Sequence, residues 1–231
     1  MEPSHQSLRL NKFLAERLGI SRREADEIIT LGKVSIDNKT AELGARVDKT
    51  SKVCYNGKIV PFEANFTYLA FHKPVGYVCS RRSQGVLKTL YELLPEEYKK
   101  LKTVGRLDKD SSGLILLTND GDFAYSMTHP KFKKTKIYEV MLDRPLEPLH
   151  QQMISDFGVM LEDGVSKFLV VRSLNFDDRQ HFTVNLSEGR NRQIRRTFAA
   201  LGYKVIKLHR TSFGKYDLNS LKPGKYAIIK P

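Results

Sequence analysis

The run Gly113-Leu114-Ile115-Leu116-Leu117-Thr118 constrains this fold more than any other segment. It is short and apolar, entered through the polar turn Gly105-Arg106-Leu107-Asp108-Lys109-Asp110-Ser111-Ser112 and left through Asn119-Asp120-Gly121. An apolar run bounded by such turn residues reads as a buried strand. A buried strand needs a sheet around it, and the polar turn then sits at the mouth of that sheet. Other strand-like runs fall at 137–142, 167–175, 181–186 and 226–229. Tyr68, Ala70 and Phe71 mark one more, broken at Lys73-Pro74-Val75-Gly76. Helices are expected near 88–94, 121–128, 147–154 and 191–201. Strands joined by long, varied connections predict an α+β domain over 67–231, built on a mixed, mainly antiparallel sheet.

A smaller unit precedes it. Leu8, Leu10, Phe13, Leu14 and Leu18 recur at helical spacing over 8–20, and Gly19 ends that helix. Ser21 followed by Glu24 is the pattern of a capping box, opening a second helix with Ala25, Ile28 and Ile29 on its apolar face. Leu31-Gly32 stops it. Val34 and Ile36 alternate as a short strand before the turn Asp37-Asn38; Val53 and Tyr55 begin another, and Asn56-Gly57 is a hairpin turn leading to Ile59 and Val60. Residues 8–61 thus read as two helices plus short strands, and 62–66 as a linker.

Charge narrows the partner. Thirty-nine Lys plus Arg oppose 26 Asp plus Glu, a formal net charge of +13 across 231 residues. Such a balance favours a polyanion, since each neutralised phosphate releases counterions. A membrane surface is the weaker reading, and no stretch approaches the roughly 20 apolar residues of a span. Cys54 and Cys79 form no disulfide framework, which points to a reducing compartment. The polar start Met1–Leu10 lacks the apolar run of a signal peptide, so a cytoplasmic protein is expected. The six scattered histidines give no ligand spacing, and no metal site is expected.

The chemistry-bearing candidates lie in the turn that opened this section. Asp108 is flanked by Arg106 and Lys109, and a carboxylate beside cations stays ionised and available as nucleophile or base. On residue chemistry alone Asp110 is hardly distinguishable from it, and an aspartate that merely caps a turn is the alternative to both. Arg9, Lys12, Arg22, Arg23 and Lys33 in the smaller unit could meet RNA or form a solvated basic face. A DNA-reading helix pair is less favoured there, because no third helix supports it before the strands begin.

Two resemblances add to this reading. Leu10-Asn11-Lys12-Phe13-Leu14, Ser21-Arg22-Arg23-Glu24-Ala25-Asp26 and Gly32-Lys33-Val34 resemble the alpha-L RNA-binding motif of ribosomal protein S-four and its relatives. The resemblance implies that Arg9, Lys12, Arg22, Arg23 and Lys33 contact structured RNA. Gly105-Arg106-Leu107-Asp108 with Ser112-Gly113-Leu114 and Leu117-Thr118-Asn119-Asp120-Gly121 resembles the central motif of pseudouridine synthases. Three blocks follow the same family in order: His72–Val78, Lys136–Val140 and Glu188–Arg196. The branch most resembled is the ribosomal small-subunit pseudouridine synthase A family.

That family converts the C–N glycosidic bond of a uridine into a C–C bond, with no cofactor, group donor or metal. The resemblance implies that Asp108 is the essential carboxylate. It makes Arg106 a residue that helps hold the flipped nucleotide, and Tyr138 the aromatic that stacks on the target base and takes part in the final proton transfer. Arg195 becomes the cation paired with Asp108. Arg190, Arg192 and Arg196 are then expected to serve phosphates, with Arg192, Arg195 and Arg196 sharing a helix face. Lys131, Lys133, Lys134 and Lys136 form a second basic stretch, expected to face RNA. Ribosomal RNA or a pre-ribosomal particle is the expected partner, and a monomer the default. Tyr77-Val78-Cys79-Ser80 and Leu208-His209-Arg210 lean to a small-subunit target, while Asn191-Arg192-Gln193 resembles the large-subunit branches. Large-subunit or transfer RNA, or a non-catalytic assembly factor, are the alternatives.

Overall fold

A computed structural model of the chain describes residues 7–81, 85–172 and 179–231. The expected strand at 167–175 therefore has its last residues, 173–175, outside the described residues. Internal contacts divide the chain into two compact units.

The smaller unit runs to Thr67 and also takes in Glu96–Lys102 and Asn119–Gly121. Its elements are β1 (Leu8–Arg9), α1 (Leu10–Leu18), α2 (Arg22–Thr30), β2 (Val34–Ile36), β3 (Lys39–Thr40), β4 (Arg46–Val47), β5 (Val53–Tyr55) and β6 (Lys58–Ile59). The capping box is complete: the Glu24 amide donates to Ser21 Oγ at 3.1 Å, and the Ser21 amide to Glu24 Oε2 at 2.6 Å. Leu10, Phe13, Leu14, Ala25, Ile29, Val34 and Val53 form one core. Strands pair antiparallel in the order β3-β2-β5-β6, with positive φ at Asn56 and Gly57 turning the last hairpin. Leu8 and Arg9 pair with β4 instead of starting the helix.

The sequence reading places 96–102 and 119–121 in the larger domain. In the structure they join the smaller unit through polar contacts to backbone, which leave no periodic signature. Lys102 Nζ donates to the Ile20 carbonyl at 2.9 Å. The Asn119 side chain accepts from the Thr67 amide at 2.8 Å and donates to the Asn65 carbonyl at 2.9 Å.

The larger unit contains β7 (Tyr68–Lys73), β8 (Lys102–Val104, its first residue in the smaller unit), β9 (Ser112–Thr118), α3 (Gly121–Thr128, its first residue likewise in the smaller unit), β10 (Lys136–Leu142), α4 (Pro148–Gln152), β11 (Val159–Leu161), β12 (Gly164–Ser166), β13 (Leu169–Arg172), β14 (His181–Leu186), α5 (Gln193–Ala200), β15 (Val205–Phe213), β16 (Tyr216–Asp217) and β17 (Tyr226–Ile228). The main sheet has the order β13-β14-β10-β15-β9-β7-β17. Along it the pairs are antiparallel except β15 with β9, which is parallel. Leu114, Ile115, Leu116 and Leu117 are fully buried, so β9 is covered on both faces, as its continuous apolar run requires.

Two expected helices are shorter or looser. The segment near 88–94 is a tight turn of 3-10 type at Leu90–Leu93, and 147–154 divides into α4 and a wider turn over Met153–Phe157. The sequence reading missed β15. Its charged residues and two register shifts against β10 break the two-residue alternation on which strand recognition rests.

β15 meets β9 over only two residue pairs, His209 with Ser112 and Arg210 with Gly113. Gly113 has φ +110°, and a Cβ placed on it would lie 2.1 Å from the Arg210 carbonyl oxygen. Neither the conformation nor the space admits a side chain. Gly113→Ala should therefore lower unfolding stability by at least about 2 kcal/mol in urea titrations. A change near zero would show that the two strands can part without cost.

Candidate active site

The turn between β8 and β9 is held from below. Lys73 at the end of β7 is fully buried, and its Nζ donates to the Ser111 carbonyl at 2.6 Å and the Pro74 carbonyl at 3.0 Å. The Gly76 amide donates to the Lys109 carbonyl at 2.8 Å. Cys79 Sγ donates to the Leu107 carbonyl at 3.2 Å and faces the Leu107 amide at 3.4 Å. Burial pushes the Lys73 amine down to about 8 and the Cys79 thiol up. The Lys73-Pro74-Val75-Gly76 break thus clamps Lys109 and Ser111, and Cys79 holds Leu107, roles that the sequence reading does not assign.

Above this clamp lies a cleft of about 400 Å³. Arg106 and Asp108 line it from the turn, Lys136 and Tyr138 from β10, Glu188 to Arg192 from the loop before α5 and Gln193 from its first position, and Leu208, Arg210 and Phe213 from β15. The structure therefore brings Arg106, Asp108 and Tyr138 to one cavity. Arg106 is exposed, whereas Tyr138 is 7% exposed and belongs to the cleft wall. Asp108 stays about a third exposed (34%), and its ion pair among the described residues is with Arg192 at 3.6 Å.

Arg195 does not pair with Asp108. Its Nη2 donates to the Asp110 carbonyl at 2.8 Å, its Nη1 to the Val205 carbonyl at 2.7 Å, and its Nε lies 3.3 Å from Asp110 Oδ2. That last approach is an ion pair without hydrogen-bond alignment. Burial pushes the Arg195 guanidinium down, and the Asp110 charge opposes that shift. Arg192 grips the Asp110 carboxylate with two bonds of 3.0 and 2.9 Å. That grip is the main reason the Asp110 carboxyl falls below the usual carboxylate range, with the Arg195 charge adding to it. Asp110, which residue chemistry left level with Asp108, is thus an anchor for arginines.

Two expected phosphate ligands are engaged elsewhere. Arg190 donates to the Asp163 and Gly164 carbonyls at 3.0 and 3.1 Å, to Asp163 Oδ1 at 3.1 Å and to the Val165 carbonyl at 2.8 Å. Arg196 makes two bonds to the Asp163 carboxylate at 3.0 and 2.7 Å and one to the Asn191 carbonyl at 2.8 Å. Both tie the loop before α5 to the β11–β12 hairpin. Arg192, Arg195 and Arg196 do not act as one face: Arg192 precedes α5 with φ 45°, and Arg196 serves a different aspartate. Arginine counting along the chain cannot foresee Asp163, which arrives from a distant hairpin.

The other basic candidates are more open. Lys131 is exposed, and its Nζ lies 4.7 Å from the Phe132 ring centre and 5.3 Å from that of Tyr125. Lys133 is exposed and Lys134 half-buried. In the smaller unit Arg9, Arg22, Arg23 and Lys33 are exposed, Arg22 donating to Asn11 Oδ1 at 3.3 Å, and Lys12 lies 3.9 Å from Glu16. The sequence reading gave no role to Arg210, which is 2% exposed, or to Lys136 as a wall of the cleft. Burial pushes Lys136 down to about 8, and its Nζ donates to the Glu188 carbonyl at 3.2 Å. Among the described residues no His, Cys, Asp or Glu cluster suits a metal, and no helix is long and apolar enough to cross a membrane.

Residues 67–200 match the family model described as RNA pseudouridylate synthase, and residues 8–53 match the S4 domain. The chain belongs to the RNA pseudouridylate synthase family. This synthase is 36% identical over 225 residues to the ribosomal small subunit pseudouridine synthase A of Pasteurella multocida, with 96% of each chain covered. It is 33% identical to the ribosomal large subunit pseudouridine synthase B of Bacillus subtilis, over 96% of this chain and 92% of that one. A solved structure titled as a pseudouridylate synthase superposes with a TM-score of 0.68 at 30% identity, covering 96% of both chains.

The two depressed lysines of the synthase set a pH dependence. An ordinary lysine titrates near 10.5, whereas Lys73 and Lys136 release their protons at about 8 when folded. Between those values the unfolded chain binds more protons, so both groups make stability rise with pH. Lys73→Met removes one of these contributions. Its destabilisation relative to the parent should therefore be larger at about pH 10 than at about pH 7 in urea unfolding. An equal difference at both pH values would reject burial as the origin of the shift.

Proposed function

We propose that this synthase isomerises a uridine of small-subunit ribosomal RNA, with Asp108 as its essential carboxylate. The observation that carries the assignment is the contrast between the two aspartates. Asp110 is bound by Arg192 and Arg195, while Asp108 faces the cleft with only a long ion pair among the described residues. In the reaction the base leaves its ribose, turns, and rejoins through its fifth ring carbon, which then gives up a proton. The detached base carries negative charge, and Arg106, Lys136 and Arg210 on the cleft wall supply positive charge where it develops. Tyr138 offers a face for stacking, and Arg106 at the exposed rim is placed to hold a flipped nucleotide. No cofactor takes part.

The small-subunit target is supported by the name of the Pasteurella relative; the Bacillus relative favours a large-subunit target as the second reading. In this proposal the substrate is ribosomal RNA or a pre-ribosomal particle, met by a cytoplasmic monomer. The exposed cations Arg9, Arg22, Arg23 and Lys33 in the smaller unit, with Lys12, provide sequence-independent grip on its phosphates. Pseudouridine mapping across ribosomal RNA from cells with and without the gene should show one small-subunit site lost. Loss of a large-subunit site instead would reverse the preference. Asp108→Asn should abolish pseudouridine formation while leaving RNA affinity within about twofold. Full activity in that variant rejects Asp108.

The rim suggests how flanking nucleotides are held. Thr128 and Pro130 line the cleft, and Tyr125 and Phe132 beside them are exposed, with ring centres 5.8 Å apart and Lys131 over both. Exposed aromatics beside cations are a stacking platform for single-stranded bases. Phe132→Ala should weaken binding of a substrate fragment by about fivefold or more, the lower end of ~1–3 kcal/mol per stacked base, measured by fluorescence anisotropy. Unchanged affinity would remove the platform from the RNA path.

A further inference from the structure

Arg210 is the least exposed cation among the described residues that line the cleft. It is 2% exposed, yet it lines the cavity together with Asp108, Tyr138 and Lys136. Its Nε donates to the Leu114 carbonyl at 2.7 Å, while its Nη2 is buried and has no acceptor among the described residues. Among the described residues it has no ion-pair partner. The guanidinium carbon lies 5.0 Å from the Phe213 ring centre and 6.0 Å from that of Tyr138, so both rings lie within cation–π reach of it. A buried donor without an acceptor is disfavoured, and a buried unpaired charge more so, unless a ligand completes it. Lys136, the neighbouring cation, is different: its Nζ already reaches the Lys134 and Glu188 carbonyls.

We propose that Arg210 reads the target base, its guanidinium donating to a carbonyl oxygen of the flipped uracil. This rests on the reading of the cleft as the site that receives the uridine. Depth decides between base and phosphate. The phosphates of a flipped nucleotide remain with the strand at the rim, where Arg106 is exposed, and the base is the part that enters furthest. Chemistry decides the acceptor. A guanidinium offers only donors, and uracil offers two ring carbonyls. Cytosine presents an amino donor at position four, so an Arg210 contact there also excludes it. The position is rigid, because the Arg210 backbone is fixed against Gly113 on one side and paired with Tyr138 on the other.

The test couples a change in the residue to a change in the base. Short RNA fragments would span the uridine chosen from the pseudouridine map, so an error about the ribosomal subunit does not enter the comparison. Each would carry uridine, 2-thiouridine or 4-thiouridine at the target. Single-turnover rates would be measured for the parent enzyme, Arg210→Met and Arg210→Lys, with thermal unfolding and affinity for non-target RNA as folding controls. Sulfur is a weak acceptor, so one of the two thio substitutions should slow the parent about tenfold, as for one charge-assisted hydrogen bond. In Arg210→Met the same substitution should change the rate less than twofold. Arg210→Lys, which keeps the charge, serves if the methionine variant is poorly folded, and it should likewise show a reduced thio effect. A parent enzyme indifferent to both thio bases, or variants that retain its full thio discrimination, would overturn the proposal and leave Arg210 a structural residue. Loss of activity in Asp108→Asn on the unmodified fragment tests the parent reading separately.

Discussion

Two backbones pass at Gly113 and Arg210 more closely than any side chain between them would permit. Among the described residues that approach forms the one parallel seam along the main sheet's strand order and joins two otherwise antiparallel halves. On one side lie β9 and β7, which carry the turn with Asp108 and the lysine beneath it. On the other lie β15 and β10, which carry Arg210 and Tyr138. The cleft is the space left where the halves meet, so a glycine determines which side chains share it.

Asp110 and Asp163 organise the arginine-rich segment in a complementary way. Each carboxylate takes two arginines, Asp110 holding Arg192 and Arg195 and Asp163 holding Arg190 and Arg196. Four like charges within seven residues would otherwise repel one another and splay the loop before α5. With both aspartates in place, the loop is ordered and forms one wall of the cavity. The positive charge that remains for a ligand is set back in Arg210, Lys136 and the exposed rim.

Much of this was legible in the sequence, and the failures share a cause. The capping box at Ser21, the turn at Asn56-Gly57 and the double-sided burial of β9 follow from local patterns, and the structure has all three. Asp108, Tyr138 and Arg106 share one cleft because the ordered motifs place them on adjoining elements. What sequence reading could not supply were pairings between distant segments. Arg195 lies against Asp110, Arg190 and Arg196 are held by a hairpin residue, and β15 lacks clean alternation because its register shifts twice against β10. Arg210 sits on that unrecognised strand, and an arginine inside an unassigned segment gives no local sign of burial.

The assignment of 96–102 and 119–121 to the smaller unit has a consequence for inheritance. The chain crosses between units at 67/68, 95/96, 102/103, 118/119 and 121/122. The span from Thr103 to Thr118, with the turn that bears Asp108, belongs to the larger unit and is flanked in sequence on both sides by segments of the smaller one. A single genetic crossover in the 62–66 segment would exchange the amino-terminal portion but leave both inserted segments facing a partner they did not evolve with. RNA grip and the carboxylate turn are therefore expected to be inherited together, as one lineage and not as interchangeable modules.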